Sequence, residues 1–203
     1  MAEQITGRDA VLAALLAGEP IQMVLVDREK DTSDIRETCE KLGILLEEGS
    51  TNDLWRMSAE GFVDALALTG RIPNGDLDQI LERGGTIWFF DGVTYSTNLG
   101  FAIRCAEVSG ADAVVLNVAK THEERRTIRR SSMRADRFIP VVYSTTEEIL
   151  NGAKANNIRI ITVEDVGSHE PWDEDLTGDV MLVVGAEKEG VSEQVLAAAD
   201  ACV

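Results

Sequence analysis

Apolar runs at residues 87–90, 113–118, 138–143, 158–163 and 180–184 decide what the second half of this chain can be. Each is too short for a core helix and rich in β-branched or aromatic residues, which reads as a buried strand. Helical patterns separate them, over 99–109, about 122–133, 146–155 and 192–201. Strands that alternate with helices predict an α/β fold, a mainly parallel sheet with helices on both faces.

The first of these strands feeds the most informative stretch of the chain. After 87–90 come a polar turn and a helix through Phe101, Ile103, Ala106 and Val108, stopped by Gly110. Strand, polar loop and helix start together make a site for a small ligand or a reacting group. Asn98 and Arg104 are the polar groups placed there, with the helix beginning near Leu99 and Arg104 returning toward the strand ends. An arginine so placed binds a phosphate or polarises a hydroxyl. The plainer alternative has Asn98 capping the helix and Arg104 pairing with a surface carboxylate.

Residues 5–68 read as a smaller α/β unit. Thr6 caps a helix through Val11 and Leu15 that Gly18 and Pro20 end. A strand at 21–26, a helix from Ser33 or Asp34 to Gly43, a strand at 44–46, a helix from Ser50 and a strand at 62–68 complete it. Pro73, Asn74 and several glycines mark a boundary, which divides the chain into 1–70, a linker at 71–85, and 86–203.

The 203 residues are 44% hydrophobic, enough for a core, and no apolar run approaches the roughly 20 residues of a membrane span. The start lacks the features of a signal peptide. Cys39, Cys105 and Cys202 are odd in number and far apart, which reads as reduced core thiols in a cytoplasmic protein. His122 and His169 lack partners at metal spacing and read as surface residues, so no metal is expected.

A net charge of −17 opposes nucleic-acid binding, because phosphate rewards basic surfaces. The average conceals an asymmetry. Residues 120–137 hold seven Lys/Arg against three carboxylates, so that segment is +4 and the remainder −21. Helical spacing would gather Arg125, Arg126, Arg129 and Arg130 on one face. A solvated face is the usual fate of such a run, but the excess of Arg over Lys favours phosphate recognition.

A second motif, Gly185-Ala-Glu187 with Gly190-Val-Ser192, follows the last strand of the series. Glycines bracketing a turn let backbone approach a ligand closely, and Ser192 can cap the final helix. The Gly-Lys-Ser/Thr ending of a phosphate-binding loop is absent, and the position is too late for a dinucleotide fingerprint.

Taken together, Asp91-Gly-Val, Asn98-Leu-Gly with Arg104, Gly110-Ala-Asp, and the Gly185–Ser192 turn resemble the SpoU (TrmH-like) RNA 2′-O-ribose methyltransferases of the SPOUT superfamily. The likeness extends to Gly7-Arg8-Asp9-Ala10-Val11, which echoes the opening of the family's N-terminal substrate-binding domain. It implies a trefoil-knot methyltransferase domain preceded by a small RNA-binding domain. It also implies a homodimer with S-adenosylmethionine as cofactor and RNA as partner, rRNA ahead of tRNA. Asn98 and Arg104 correspond to the catalytic pair, and Gly185, Glu187 and Gly190 to the cofactor turn. Arg8 and the arginine face would hold RNA. Two departures carry expectations of their own. Tyr95-Ser96-Thr97 stands where the family often has Asp-Pro. The family's third motif should follow Asp200, so the chain is read as truncated at its C-terminal end, with the knot left incomplete and S-adenosylmethionine expected to bind poorly. The rival expectation is a non-catalytic RNA-binding or assembly protein of the same fold that has lost cofactor binding.

Overall fold

A computed structural model of the protein describes residues 3–58, 60–70, 72–168 and 170–203, so His169 lies outside the described residues. The first half opens with β1 (Glu3–Thr6), α1 (Arg8–Ala17), β2 (Ile21–Asp27) and α2 (Ser33–Leu42). It continues through β3 (Leu45–Gly49), α3 (Thr51–Met57) and β4 (Ala65–Thr69). The strands form a four-stranded sheet in the order β1-β4-β2-β3, parallel only between β2 and β3.

Two details depart from the sequence reading. Thr6 ends a strand instead of capping α1, where Gly7 holds the cap position without a side-chain bond. Residues 62–64 stay outside β4 and Phe62 is exposed. Ser50 does start α3, through a capping box in which its hydroxyl accepts from Asp53 N and the Asp53 carboxylate accepts from Ser50 N.

α4 (Leu77–Arg83) falls within 71–85 and buries Ile80 and Leu81 against the second sheet. The second half is β5 (Thr86–Phe90), α5 (Ser96–Ser109), β6 (Ala113–Leu116), α6 (His122–Ser131), β7 (Val141–Tyr143) and α7 (Thr146–Ala155). β8 (Arg159–Val163), β9 (Val180–Val184), α8 (Glu193–Leu196) and β10 (Ala201–Cys202) complete it. Its six strands are parallel, in the order β10-β8-β9-β5-β6-β7.

Alternation along β5 separates the two layers. Ile87 and Phe89 pack with α4 and α7, whereas Phe90 and partly buried Trp88 meet Leu99 and Ile103 of α5 and Ile128 of α6. Helices therefore cover both faces. The expected helix over 192–201 is cut short at Leu196. Asp200 pins the following chain to β8, its carboxylate accepting from Ile160 N at 2.8 Å and its own N–H donating to Ile160 O at 2.8 Å. Ala201 and Cys202 then pair with Ile161 and Thr162. Ser192 holds the cap position of α8 but makes no side-chain cap bond. Of the expected core thiols Cys39 is buried, but Cys105 is exposed on α5 and Cys202 only partly buried.

The chain reverses direction across this sheet. β5, β6 and β7 step outward on one side, α7 carries the chain to β8 on the other, and β9 returns to lie between β8 and β5. Ligands in open α/β sheets bind at the carboxyl ends of the strands where the order reverses. Here the order reverses between β5 and β9, whose carboxyl ends therefore mark the candidate crevice.

The two sheets meet through the segment after α6. Phe138 is buried with Met23, Leu25 and Leu54 of the first unit. Arg134 Nε lies 3.6 Å from Asp53, and Arg137 Nε 3.9 Å from Glu47. Burial works to raise the Asp53 carboxyl, but hydrogen bonds from Ser50 and the charges of Arg134 and Arg137 outweigh it and leave the group lowered.

Candidate active site at the β5–β9 crevice

Phe90 and Val184 are register partners, so the loops after β5 and β9 leave the sheet side by side. Asp91 N–H extends the ladder by one bond, donating to Val184 O at 2.9 Å. The Asp91 side chain is only 3% exposed. One carboxylate oxygen accepts from Ser192 N at 2.7 Å and the other from Asn117 Nδ2 at 2.6 Å. Asn117, just beyond β6, also accepts from Gly92 N at 2.8 Å. Lys120, whose side chain is buried, donates to Thr94 O at 2.6 Å. The loop after β5 is thus held from β6 and tied to the turn after β9. Charge-assisted bonds of this kind are the strong ones.

Asp91→Asn tests this staple. The variant keeps the shape but sets an amide NH₂ against one of two buried donors, a loss of about 1–3 kcal/mol. Thermal unfolding should show a lower midpoint, by roughly 2–4 °C for each kcal/mol in a chain of this size. An unchanged midpoint would mean that the Asp91 bonds contribute nothing net.

The turn after β9 closes on itself. Ala186 N–H donates to Gly190 O, and Gly190 N–H to Ala186 O, each at 2.9 Å. A Cβ at Gly185 would lie inside the backbone of Gly190 and Val191, so only glycine permits this approach. Glu164, just past β8, accepts from Val191 N. Glu187 sits exposed at the tip and accepts from Asn98 Nδ2 at 2.9 Å.

That bond joins the two sequence motifs directly. Asn98 is the third residue of α5, which starts at Ser96 and not near Leu99. Buried Gly100 has a separate reason to be glycine: a Cβ there would strike the Ser131 hydroxyl and the Ile128 carbonyl where α6 packs on α5. Arg104 follows Asn98 by six residues, roughly 9 Å along the axis toward the far end of the helix. It does not return to the strand ends. Its Nη1 donates to Glu107 at 2.7 Å, and its side chain is 42% exposed. The structure therefore brings Asn98 together with Glu187, Gly185 and Gly190, and leaves Arg104 on the outer flank.

Beside the turn, at the carboxyl ends of β8 and β10, an open cleft of about 570 Å³ is lined by Glu164, Asp165, Gly167, Ser168 and Val203 among others. A larger cleft of about 720 Å³ lies at the opposite end of β8, between α7 and α8, and contains none of the motif residues. The sequence marks Asp91 as part of a motif but gives its side chain no role, and Asn117, Lys120 and Glu164 go unmarked; the signal open to Asn117 and Glu164 is a polar residue directly after a buried strand.

The expected RNA-binding arginines divide. Arg8 pairs with Asp34 at 2.9 Å. Arg125 lies over the Tyr143 ring, 4.7 Å from its centroid, and donates to Lys120 O. Arg126, Arg129 and Arg130 face outward from α6 and line a shared basin.

The model of the SpoU rRNA Methylase family matches residues 86–203. A 23S rRNA (guanosine-2′-O-)-methyltransferase RlmB of Photobacterium profundum is 27% identical over 201 residues, covering 93% of this chain and 82% of its own. A protein of Staphylococcus epidermidis assigned to the TrmH family of tRNA/rRNA methyltransferases is 24% identical, covering 94% of this chain and 81% of its own. Among solved structures, the SpoU methyltransferase AviRb of Streptomyces viridochromogenes superposes with a TM-score of 0.59 at 21% identity, over 100% of this chain and 79% of its own. The AdoMet-bound rRNA methyltransferase of Sinorhizobium meliloti does so at 0.58 and 20%, over 99% and 77%. These structural likenesses show a shared fold.

Proposed function

The chain belongs to the SpoU rRNA methylase family, and we propose that it transfers a methyl group from S-adenosylmethionine to a ribose 2′-hydroxyl of structured RNA, ribosomal RNA ahead of transfer RNA. The observation that carries this reading is the Asn98–Glu187 hydrogen bond, which joins the two motif loops at the reversal point of a parallel sheet. The name of the Photobacterium relative supports the ribose 2′-oxygen and rRNA; the Staphylococcus relative's name keeps tRNA in view. The reading places the enzyme in the cytoplasm and takes the return of the chain past β9 as part of a trefoil knot.

The residues present fit the cofactor. The Gly185–Gly190 turn closes on its own backbone and is tied to Glu164, and the cleft beside it carries the Glu164 and Asp165 carboxylates, which suit a sulfonium cation and ribose hydroxyls. Gly185, Glu187 and Gly190 would hold it. When bound, S-adenosylmethionine supplies an activated electrophilic methyl. The protein's own work is alignment of the attacking oxygen and stabilisation of the charge that develops on it. Asn98, oriented by Glu187, shapes the approach. Arg104 stays charged and therefore serves as a donor to the hydroxyl oxygen, not as a base.

Arg104 would reach such a site across a dimer. Phe101, Cys105 and Val108 recur at helical spacing on α5, with Phe101 59% and Val108 53% exposed, and Arg104 flanks them. This apolar stripe is the surface we assign to a second copy of the chain, carrying Arg104 toward the partner's crevice. Phe101→Glu should halve the mass measured by light scattering and abolish transfer together with dimerisation. A monomeric variant at full activity would remove the dimer from the account.

The Arg104–Glu107 pair favours one other reading, an RNA-binding protein of this fold without catalysis. Calorimetric titration with S-adenosylmethionine separates the two. Micromolar binding is expected for the enzyme, and no heat for the non-catalytic relative.

A further inference from the structure

The arginine face of α6 does not end on its own helix. Arg126, Arg129 and Arg130 share a basin of about 270 Å³ with Arg134 and with Arg56, which α3 of the first unit contributes from across the seam. On the seam side Arg129 and Arg134 are balanced by Asp136 and Asp53. Arg56, Arg126 and Arg130 have no carboxylate partner among the described residues. In a chain of net charge −17, unpaired guanidinium groups converging from two units form a local positive well, and the acidic remainder repels a polyanion docked elsewhere.

Next to Arg56 in sequence stands Trp55, 48% exposed and stacked on Phe62, itself 72% exposed. The rings are 5.9 Å apart between centroids at an interplanar angle of 27°. A solvated pair of large aromatic rings costs stability unless something covers it. Every nucleobase has a π-face that such a platform accepts, whereas paired bases are already stacked and cannot reach it.

We propose that the Arg56/Arg126/Arg130 basin and the Trp55–Phe62 platform, linked through α3, together form a subsite for an unpaired segment of the RNA, with phosphate in the basin and a base stacked on the rings. This rests on the RNA-methyltransferase reading and adds the substrate feature that reading lacks: a single-stranded loop or bulge held apart from the target ribose. The basin belongs to both units, so RNA held there also bridges them.

The test uses the full chain and two labelled RNA stem-loops, one with a uridine loop and one with the same loop made abasic, across a salt series. Trp55→Leu and Phe62→Leu should weaken the uridine-loop probe about tenfold and leave the abasic probe unchanged, with Trp55→Phe retaining affinity. Arg126→Glu and Arg130→Glu should weaken both probes about tenfold and flatten the salt dependence, by about 0.7 in log–log slope for each single-strand phosphate that is no longer neutralised. Lys41→Glu, an equal charge change at a side chain 76% exposed on α2, should change neither. Basin variants that match Lys41→Glu, or aromatic variants that weaken both probes equally, overturn the subsite. So does polyglutamate competing as well as RNA, which marks a site for an acidic protein. Titration of the same variants with S-adenosylmethionine keeps the two readings apart: cofactor binding that persists when the subsite tests fail leaves the methyltransferase assignment standing. Absence of both RNA and cofactor binding in the unaltered protein overturns both.

Discussion

Replacing Arg104 by alanine is expected to lower methyl transfer about a hundred- to ten-thousand-fold, the range for a group that acts on a proton or on charge in the transition state. The same change should leave the fold alone. In the isolated chain Arg104 is a half-exposed residue paired with Glu107 one turn away, and such pairs contribute about 0–1 kcal/mol. Loss of turnover with an unchanged unfolding midpoint and unchanged cofactor affinity would separate a chemical role from a structural one. Arg104→Lys should restore little, since the point charge survives but the planar fork does not. The effect should fall on kcat more than on KM if Arg104 acts, as proposed, on the reacting oxygen. Undiminished transfer by Arg104→Ala would defeat this role.

Gly185→Ala should abolish cofactor binding and also destabilise the protein. The added methyl has nowhere to go, because backbone atoms of Gly190 and Val191 already occupy the space. Backbone cannot swing aside as a flexible side chain does, so the turn must open and break the Ala186–Gly190 bonds. Overpacking of this kind costs about 1–3 kcal/mol. Val191 and Ser192 follow directly and are tied to Glu164 and Asp91, so the disturbance passes to the loop after β5. Calorimetry should show no heat with S-adenosylmethionine at concentrations that saturate the unaltered protein. Wild-type affinity in the variant would mean that the turn does not hold the cofactor.

Local signals in the chain account for most of the fold. Short apolar runs become β5, β6, β8 and β9 nearly where expected, and Ser/Thr followed three residues later by an acid starts α3, α6 and α7 through capping boxes. What the sequence conceals is decided at long range. The alanine-rich stretch after Leu196 has strong helix propensity, but Asp200 and the open edge of β8 draw it into a strand. β1 is four residues long and declares itself only by pairing with β4.

The same division holds at the candidate site. The motif glycines and Asn98 stand out by type and spacing. That Asn98 is aimed by Glu187, 89 residues later, depends on β5 and β9 being neighbours. Asp91 stands in a motif, but the role of its side chain stays hidden because both of its donors come from other strands' loops. The resemblance groups Arg8, and helical charge spacing Arg125, with RNA contacts; the partners each has in the fold, Asp34 and the Tyr143 ring, come from elsewhere in the chain and leave no local signal.

The central claim is that one crevice, floored by the ends of β5 and β9, brings a ribose oxygen to a methyl donor. The most direct test is to incubate the protein with isotopically labelled S-adenosylmethionine and ribosomal RNA, digest the RNA to nucleosides and identify the labelled species by mass spectrometry. A 2′-O-methylated nucleoside is the result expected. Label on a base, or none in RNA although the protein binds the cofactor, would contradict it.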